Sequence, residues 1–246
     1  MACSSLYEQQ VIPQYVSLLE QDRGPGVRNL QYWLEKAWSE GFDLVGAEQL
    51  KRRLVGTRKW IGAAELYTAF THRGIPARLI DFPQSGNDPE VVTRWVANYF
   101  FPPRATGNAF TALSSVSPIV QTDKPPLILQ HQGHSRTIVG IELNRMGVPN
   151  LLIFDPGRKI PDSLRAQALS TLPTMQPTSS KSEGNKLKRP QNHEDVDYMS
   201  VLRVFRVNLN NLRKRDKYQI LAFTLEPPLS NEERSARKIV HSEKVV

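Results

Sequence analysis

Residues 130–156 read QHQGHSRTIVGIELNRMGVPNLLIFDP. Two apolar runs in this segment, TIVGIEL at 137–143 and NLLIFD at 150–155, are short and rich in branched side chains, which is typical of β-strands. The residues NRMGVPN between them are typical of a turn. The segment therefore predicts an antiparallel hairpin.

A histidine and an aspartate flank this hairpin. His134 precedes its first strand and Asp155 follows its second. In an antiparallel hairpin the start of the first strand lies beside the end of the second, so both side chains are expected at one end of the sheet, within a residue or two of register. A carboxylate beside an imidazole fixes its tautomer and stabilises the imidazolium. The pair thus has the form of the base and acid of a catalytic triad, and a purely structural pair is the alternative.

The histidines of this segment also raise the possibility of a metal site. His131 and His134 are three residues apart, but the local pattern is not helical, so this spacing does not aim both rings at one ion. No further cysteine or histidine lies nearby in the sequence. We therefore expect neither a metal ion nor another cofactor.

The remaining chain places helical patterns before strand patterns. Helical periodicity with a defined apolar face is present at 27–42, 63–70 and 89–101. Further strands are predicted at 127–129, 201–207 and 218–225. Helices followed by a mostly antiparallel sheet indicate an α+β fold, with the N-terminal helices packed on the sheet.

The overall composition is that of a globular protein. The 246 residues are 39% hydrophobic and 23% charged, which favours one domain with a substantial core. No apolar stretch is long enough to span a membrane, and the first residues lack the pattern of a signal peptide. Cys3 is the single cysteine, so no internal disulfide forms. A cytoplasmic or nuclear location without a membrane partner is expected.

The net charge of +8 suggests an acidic partner. The excess is concentrated in KSEGNKLKRP at 181–190 and NNLRKRDK at 210–217, and elsewhere basic residues alternate with glutamates. Nucleic-acid binding is therefore not expected as the main role. The KLKR run at 186–189 is either a nuclear-import signal or part of a solvated insert.

Composition also predicts the boundaries of the domain. Residues 11–228 are expected to form it, with a flexible insert at 172–197 that is nearly free of apolar side chains. Residues 1–10 are expected to be disordered, and residues 229–246 to form a loose C-terminal tail.

Several motifs together resemble one enzyme family. PPLILQHQGHSRTIVGIE, followed by LLIFDPG, is similar to the cysteine peptidases that cut ubiquitin and the ubiquitin-like modifier UFM (peptidase C78 type), in the branch of the zinc-finger ubiquitin peptidases and their short fungal relatives. Supporting likenesses are VIPQYVSLLEQD at 11–22, the GTRK-x-IG segment within 55–70, and the closing strands VLRVFR and LRKRDKYQILAFT. The likeness touches most of residues 11–225 outside the insert.

The resemblance implies a papain-like fold, in which a nucleophile helix packs on the sheet that carries histidine and aspartate. By this likeness His134 is the general base and Asp155 its orienting acid, while Gln130, Gln132 and Ser135 are pocket neighbours without an assigned role. It also implies a partner, namely the C-terminal tail of ubiquitin or of a ubiquitin-like modifier.

The nucleophile of this family has no counterpart in the chain. The family carries its cysteine in a Cys-Gly-Tyr-Arg-Asn motif at the start of a helix, and this sequence lacks that motif. One alignment puts Pro25 in the place of the cysteine. Another aligns GVRNLQYWLEKAWSEGFD with the segment after the nucleophile helix, so that this helix is missing through a deletion, a skipped exon or an error in the gene structure.

Other residues are poor substitutes for that nucleophile. Cys3 lies in the expected disordered terminus, eight residues before the segment 11–22 that resembles the family's entry helix, and Ser114 and Ser115 lack an elbow motif. The resemblance therefore implies a ubiquitin or ubiquitin-like isopeptidase that does not turn over, and the alternative is a non-catalytic binding module. A lost helix exposes apolar sheet surface at about 25 cal/mol per Å², so marginal stability or a stabilising partner is expected.

Overall fold

The computed structural model describes residues 5–6, 13–19, 26–83, 87–102, 120–171 and 203–245. The helices are α1 Gln14–Leu19, α2 Val27–Ser39, α3 Leu44–Gln49, α4 Ala63–His72, α5 Glu90–Phe100, α6 Asp162–Thr171, α7 Leu209–Leu212 and α8 Asn231–Ala236. The strands are β1 Ala77–Phe82, β2 Leu127–His131, β3 His134–Leu143, β4 Pro149–Phe154, β5 Arg206–Val207, β6 Tyr218–Phe223 and β7 Glu243–Lys244.

The strands form one seven-stranded sheet in the order β5-β4-β3-β2-β6-β1-β7. Neighbouring strands are antiparallel, except that β7 runs parallel to β1. Helices occupy the N-terminal part and strands dominate later, which confirms the α+β class and the mostly antiparallel sheet. This architecture is in keeping with the papain-like arrangement that the resemblance implies.

The alternation of side chains along β6 separates two hydrophobic cores. Leu221 and Phe223 belong to one core, and Ile220 and Ala222 to the other, as the two-residue period of a strand requires. The first core packs α1, α2 and α4 against the sheet, and the second packs α5 and α7 against the opposite face. The sheet is therefore the central layer between two sets of helices.

Helix α2 has the apolar face that its sequence predicts. Leu34, Ala37 and Trp38 are buried in it, and Trp33 adds a ring that meets the edge of Phe70 from α4. Gly41 follows the helix with φ +86°, a left-handed conformation that glycine adopts without steric cost. The helix ends just before this glycine, and both tryptophans pack in the core.

The last predicted strands differ in part from the structure. Of the described part of the predicted strand 201–207, residues 203–205 form a helical turn and Arg206–Val207 pairs with β4. Phe205 turns its ring onto Phe154, with 5.3 Å between the ring centroids. This packing takes residue 205 out of the extended conformation, so the run of branched residues there does not form a long strand.

The C-terminal residues also depart from the expected loose tail. Ser230 caps α8 by accepting a hydrogen bond from the Glu233 N–H, and the Glu233 carboxylate accepts one from the Ser230 N–H. β7 then pairs with β1, and the Arg78 guanidinium binds the Glu243 carboxylate. Local capping and strand pairing therefore order residues that carry few buried side chains.

Some sequence-based predictions lie outside the described residues. They concern Cys3, Pro25, Ser114, Ser115 and the insert at 172–197. Across the ranges that the structure describes, no helix has the length and apolar character needed to cross a membrane.

Candidate active site

The site is built on the β2–β3 hairpin. Gln132 and Gly133 form its two-residue turn with φ +39° and +77°, the pair of positive values that a type I′ turn needs. His131 is paired with His134 directly across the ladder. Both strands are longer than predicted, and His134 is the first residue of β3 rather than a residue before it. The tight turn therefore fixes the position of His134 relative to the sheet.

The predicted meeting of His134 and Asp155 is confirmed. Thr137 pairs with Phe154 across β3 and β4, which brings the next residue of the chain, Asp155, to the end of the sheet where β3 begins. The His134 Nε2 lies 2.8 Å from the Asp155 Oδ1. Since an ionised carboxylate only accepts, Nε2 carries the proton and Nδ1 is the nitrogen left to serve as a base.

Asp155 is held by two further donors that sequence analysis did not identify. The Arg136 Nε donates to its Oδ2 at 2.9 Å, and the Gly157 N–H donates to its Oδ1 at 2.9 Å. Burial alone would raise the pKa of Asp155, but the Gly157 N–H, His134 and Arg136 outweigh it and lower that pKa. Asp155 is therefore a charged, oriented acceptor for the imidazole.

Gly157 allows the turn after β4 to approach the imidazole closely. A Cβ at this position would lie 3.1 Å from the His134 Cε1 and 3.3 Å from the Asp155 Oδ1. That is too close for an undisturbed side chain, so the absence of a Cβ keeps the pair in place. The signal in the sequence was the DPG triplet, which served only as part of the family likeness.

A second histidine lies beside the first. His131 is 6% exposed, and among the described residues neither of its ring nitrogens has a hydrogen-bond partner. Its ring centroid is 5.6 Å from that of His134, and it meets the Tyr218 ring edge-on at 5.5 Å. Burial, followed by the nearby Arg136 and Arg215, lowers the pKa of His131 to about 4. His131 is therefore neutral at physiological pH and adds no charge beside His134.

The predicted pocket neighbours have different positions. The Gln130 side-chain oxygen accepts a hydrogen bond from the Ala63 N–H and so ties the start of α4 to the hairpin. The Gln132 side-chain oxygen accepts one from the Arg215 Nη1 at 2.8 Å. Ser135 lines a cavity beside the His–Asp pair. Gln130 and Gln132 thus contribute to the architecture of the site, and Ser135 lines the space next to it.

That cavity has a volume of about 370 Å³. The Asp155 carboxylate lies on its wall, and Phe154, which is 41% exposed, presents part of its ring there. The remaining apolar lining consists of Ile128, Ile153, Pro156, Ile160, Val204 and Phe205. The cavity combines an apolar wall with the charged end of the site, which is the character of a ligand cleft.

An exposed indole lies at the hairpin turn. Trp60 belongs to the GTRKWIG segment and is 78% exposed. Its ring faces the turn, because a Cβ on Gly133 would lie 3.8 Å from two of its ring carbons. No pattern in the sequence points to a role for Trp60, because its exposure depends on how the loop before α4 meets the hairpin.

The sequence profile of Peptidase family C78 matches residues 1–194. The chain belongs to peptidase family C78. This shows the suspected family, and it accounts for the likeness of the segments around His134 and Asp155.

Three relatives illustrate how much of the C78 family the chain shares. Zinc finger-containing ubiquitin peptidase 1 of Mus musculus is 37% identical over 97% of this chain, and its counterpart in Homo sapiens is 36% identical over 87%. Ubiquitin carboxyl-terminal hydrolase mug105 of Schizosaccharomyces pombe is 31% identical over 54% of this chain and 47% of its own length. The chain spans about a third of the length of the two mammalian relatives, 35% and 31% respectively.

Chemically, an imidazole that donates from Nε2 to a charged carboxylate can accept a proton at its other nitrogen. A thiol with its proton transferred to the His134 Nδ1 would gain the nucleophilic thiolate form. The single cysteine of the chain, Cys3, lies outside the described residues. The arrangement therefore places an oriented imidazole–carboxylate pair beside a cleft.

Proposed function

We propose that His134 and Asp155 are the general base and orienting acid of a ubiquitin-type isopeptidase site. We further propose that this chain binds ubiquitin or a ubiquitin-like modifier through the adjacent cleft without hydrolysing it. The observation that carries the proposal is the 2.8 Å His134–Asp155 contact in a chain whose single cysteine is Cys3. The family membership supports the class of substrate, and the cytoplasm or nucleus is the location we propose.

Loss of hydrolysis follows from the chemistry of acyl transfer. The reaction begins when a thiolate attacks the isopeptide carbonyl and the imidazolium then protonates the leaving amine. His134 can take up and return that proton at Nδ1, and Asp155 can stabilise the charged ring. Without a sulfur beside Nδ1 no acyl intermediate forms, so the pair remains as an oriented but idle base and acid.

The surroundings of the pair support retained binding. The cavity of about 370 Å³ has apolar walls from Phe154 and its neighbours, and the exposed Trp60 ring lies at the hairpin turn. Exposed aromatic rings next to a cleft are frequent contact points for a partner. An extended peptide tail is the form of ligand that such a cleft accommodates.

The alternative function is an active isopeptidase in which Cys3 reaches the site. Its support is the family membership together with the intact His134–Asp155 pair. Binding and catalysis differ in one observable, since only a reactive thiol forms a covalent bond with an electrophile placed at the end of ubiquitin.

The test exposes the chain to ubiquitin carrying a C-terminal propargylamide, followed by intact-protein mass spectrometry. Binding of unmodified ¹⁵N-labelled ubiquitin is measured in parallel by chemical-shift perturbation. We expect no adduct, and perturbations at the ubiquitin tail that weaken in Trp60→Ala but not in the control Tyr32→Ala, whose half-exposed ring lies on α2.

Two results would change this conclusion. An adduct that disappears in Cys3→Ala would show an active enzyme and overturn the binding-only proposal. Absence of both an adduct and any shift, repeated with UFM and other ubiquitin-like modifiers, would reject modifier binding by this chain.

A further inference from the structure

A second cavity, of about 560 Å³, lies at the β4–β5 edge of the sheet. Four arginines line it: Arg158, Arg203, Arg206 and Arg213. Among the described residues, five asparagines and two apolar residues complete the lining, which includes no acidic side chain. We refer to this cavity as the arginine–asparagine cleft. Its polar, cationic lining contrasts with the apolar wall of the cavity beside His134.

The arginines of the cleft differ in how far they are already neutralised. Arg206 is bound by the Glu142 carboxylate, which also accepts a hydrogen bond from the buried Asn150 side chain at 3.1 Å. Arg158 donates to the Val204 carbonyl, which leaves its charge uncompensated. Within the described ranges, no carboxylate pairs with Arg158, Arg203 or Arg213. Glu142 thus neutralises Arg206 from outside the lining, while the other three arginines have no carboxylate partner among the described residues.

This combination of side chains is selective for one kind of ligand. The planar guanidinium fork matches the oxygens of a phosphate in a bidentate geometry. Asparagine amides both donate and accept, which suits sugar hydroxyls and the edges of nucleobases. Val148 and Leu209 give little apolar surface, so a peptide with large hydrophobic side chains gains little there. The volume lies within the range of small-ligand sites.

We propose that the arginine–asparagine cleft is a binding site for the phosphate groups of a nucleotide ligand, either free or within a nucleic-acid strand. The cleft contains neither His134 nor Asp155, although Arg158 lines both cavities, and the proposal does not rest on the modifier-binding function. Part of the basic charge that is concentrated at 210–217 lies in this cleft, since Arg213 belongs to both.

The test measures the binding of two ligands to the chain at low salt. Fluorescence anisotropy follows a fluorescein-labelled 12-nucleotide oligo-dT, and isothermal titration calorimetry follows ATP. The cleft variant is Arg203→Ala/Arg213→Ala, and the control is Arg52→Ala/Arg53→Ala, which removes the same charge from an exposed site outside the cleft. Asn210→Asp is a second cleft variant that keeps every arginine and adds one negative charge.

We expect at least one ligand to bind, with an affinity roughly tenfold weaker for each lost arginine contact. For the oligonucleotide, the slope of log K against log salt should fall in magnitude by about 1.4 in the cleft double variant. Asn210→Asp should weaken binding in the same direction, whereas the control should change it less than threefold. If the cleft variants weaken ATP binding, the phosphate belongs to a free nucleotide. If they weaken oligo-dT binding, it belongs to a nucleic-acid strand.

Two outcomes would overturn the proposal. One is that neither oligo-dT nor ATP binds the wild-type chain at low salt. The other is that the control variant weakens binding as strongly as the cleft variants, which would show attraction to net charge without a site. Circular dichroism and thermal melting of each variant verify that the comparison is made between folded proteins.

Discussion

His134 Nε2 and Asp155 Oδ1 lie 2.8 Å apart, although 21 residues separate them in the chain. Their contact depends on the antiparallel pairing of β3 with β4, which places the start of one strand beside the end of the other. Among the described residues, the Asp155 carboxylate accepts hydrogen bonds from three donors, His134, Arg136 and Gly157. The acid is therefore oriented by its own neighbours as well as by the histidine.

Replacing Asp155 by asparagine should destabilise the protein at neutral pH. The variant loses the negative charge that both His134 and Arg136 contact. We therefore expect a decrease of about 2 kcal/mol in the free energy of unfolding. The pKa of Asp155 is lowered on folding, so its stabilising effect is present above its unfolded pKa and is lost as pH falls through the lower folded value. Urea denaturation at pH 7 and near pH 3 measures this difference.

The exposed Asp162→Asn is the matched control for that experiment, since it removes the same charge without a buried partner. It should change stability by less than about 0.5 kcal/mol at either pH. Equal effects of the two substitutions would show that the His134–Asp155–Arg136 contacts contribute nothing specific. A loss in Asp155→Asn that stays constant down to pH 3 would contradict the role of the carboxylate charge.

Gly157→Ala should displace the imidazole of His134. The new methyl group would lie 3.1 Å from the His134 Cε1, so either the ring or the turn after β4 must move. Overpacking of this kind costs about 1–3 kcal/mol. The ring signals of His134 in a ¹H–¹³C NMR spectrum should shift, while those of the exposed His241 should not.

Gly26→Ala provides the comparison for this prediction. A Cβ at Gly26 meets nothing within 4 Å, and its φ of −68° is open to any residue. This variant should leave the His134 signals unchanged and alter stability by only a few tenths of a kcal/mol. Unperturbed His134 signals in Gly157→Ala would instead mean that the turn after β4 moves and the imidazole does not.

Phe154→Ser tests the apolar wall of the cavity beside the site. The Phe154 ring is 41% exposed and touches the Phe205 ring, so its loss should lower stability by about 1–2 kcal/mol. The fully buried Phe82→Ala should cost about 3–5 kcal/mol. Modifier binding, measured on the folded Phe154→Ser variant, should weaken if the tail occupies this cavity; unchanged binding would place the tail elsewhere.

The sequence allowed prediction of the hairpin and of the residues that meet at its end, because both depend on local patterns. The runs of branched residues and the turn residues predict the hairpin, and the order of His134 and Asp155 along the chain predicts that they meet. Helix α2 was predictable for the same reason, since its apolar face repeats with the helical period. These elements carry their own signal in neighbouring residues.

Other parts depended on contacts between distant segments. β1, at Ala77–Phe82, was not predicted, although it pairs with β6 and β7 in the sheet. Arg136 and Gly157 were missed as partners of Asp155 because their roles arise from register and close approach. The order in residues 229–245 comes from capping and pairing with β1, neither of which composition reveals.

His131→Phe should remove a dependence of stability on acidic pH. The folded-state pKa of His131 is about 4, below the unfolded value of about 6.5, so the unfolded chain binds a proton there first. Stability of the wild type therefore falls as pH decreases from about 6.5 to about 4, with a slope of at most about 1.4 kcal/mol per pH unit from this group. Phenylalanine keeps the ring packing on Tyr218 and cannot be protonated.

Thermal or urea unfolding of both proteins at half-unit steps between pH 4 and 7 measures this slope. The groups that face His131 are His134, Arg136, Asp155, Arg215 and Tyr218. All five are retained in His131→Phe, so the change in slope between the two proteins reports chiefly on the substituted ring. Identical slopes would mean that His131 finds a proton-stabilising partner in the folded state, in conflict with its buried, unpaired nitrogens.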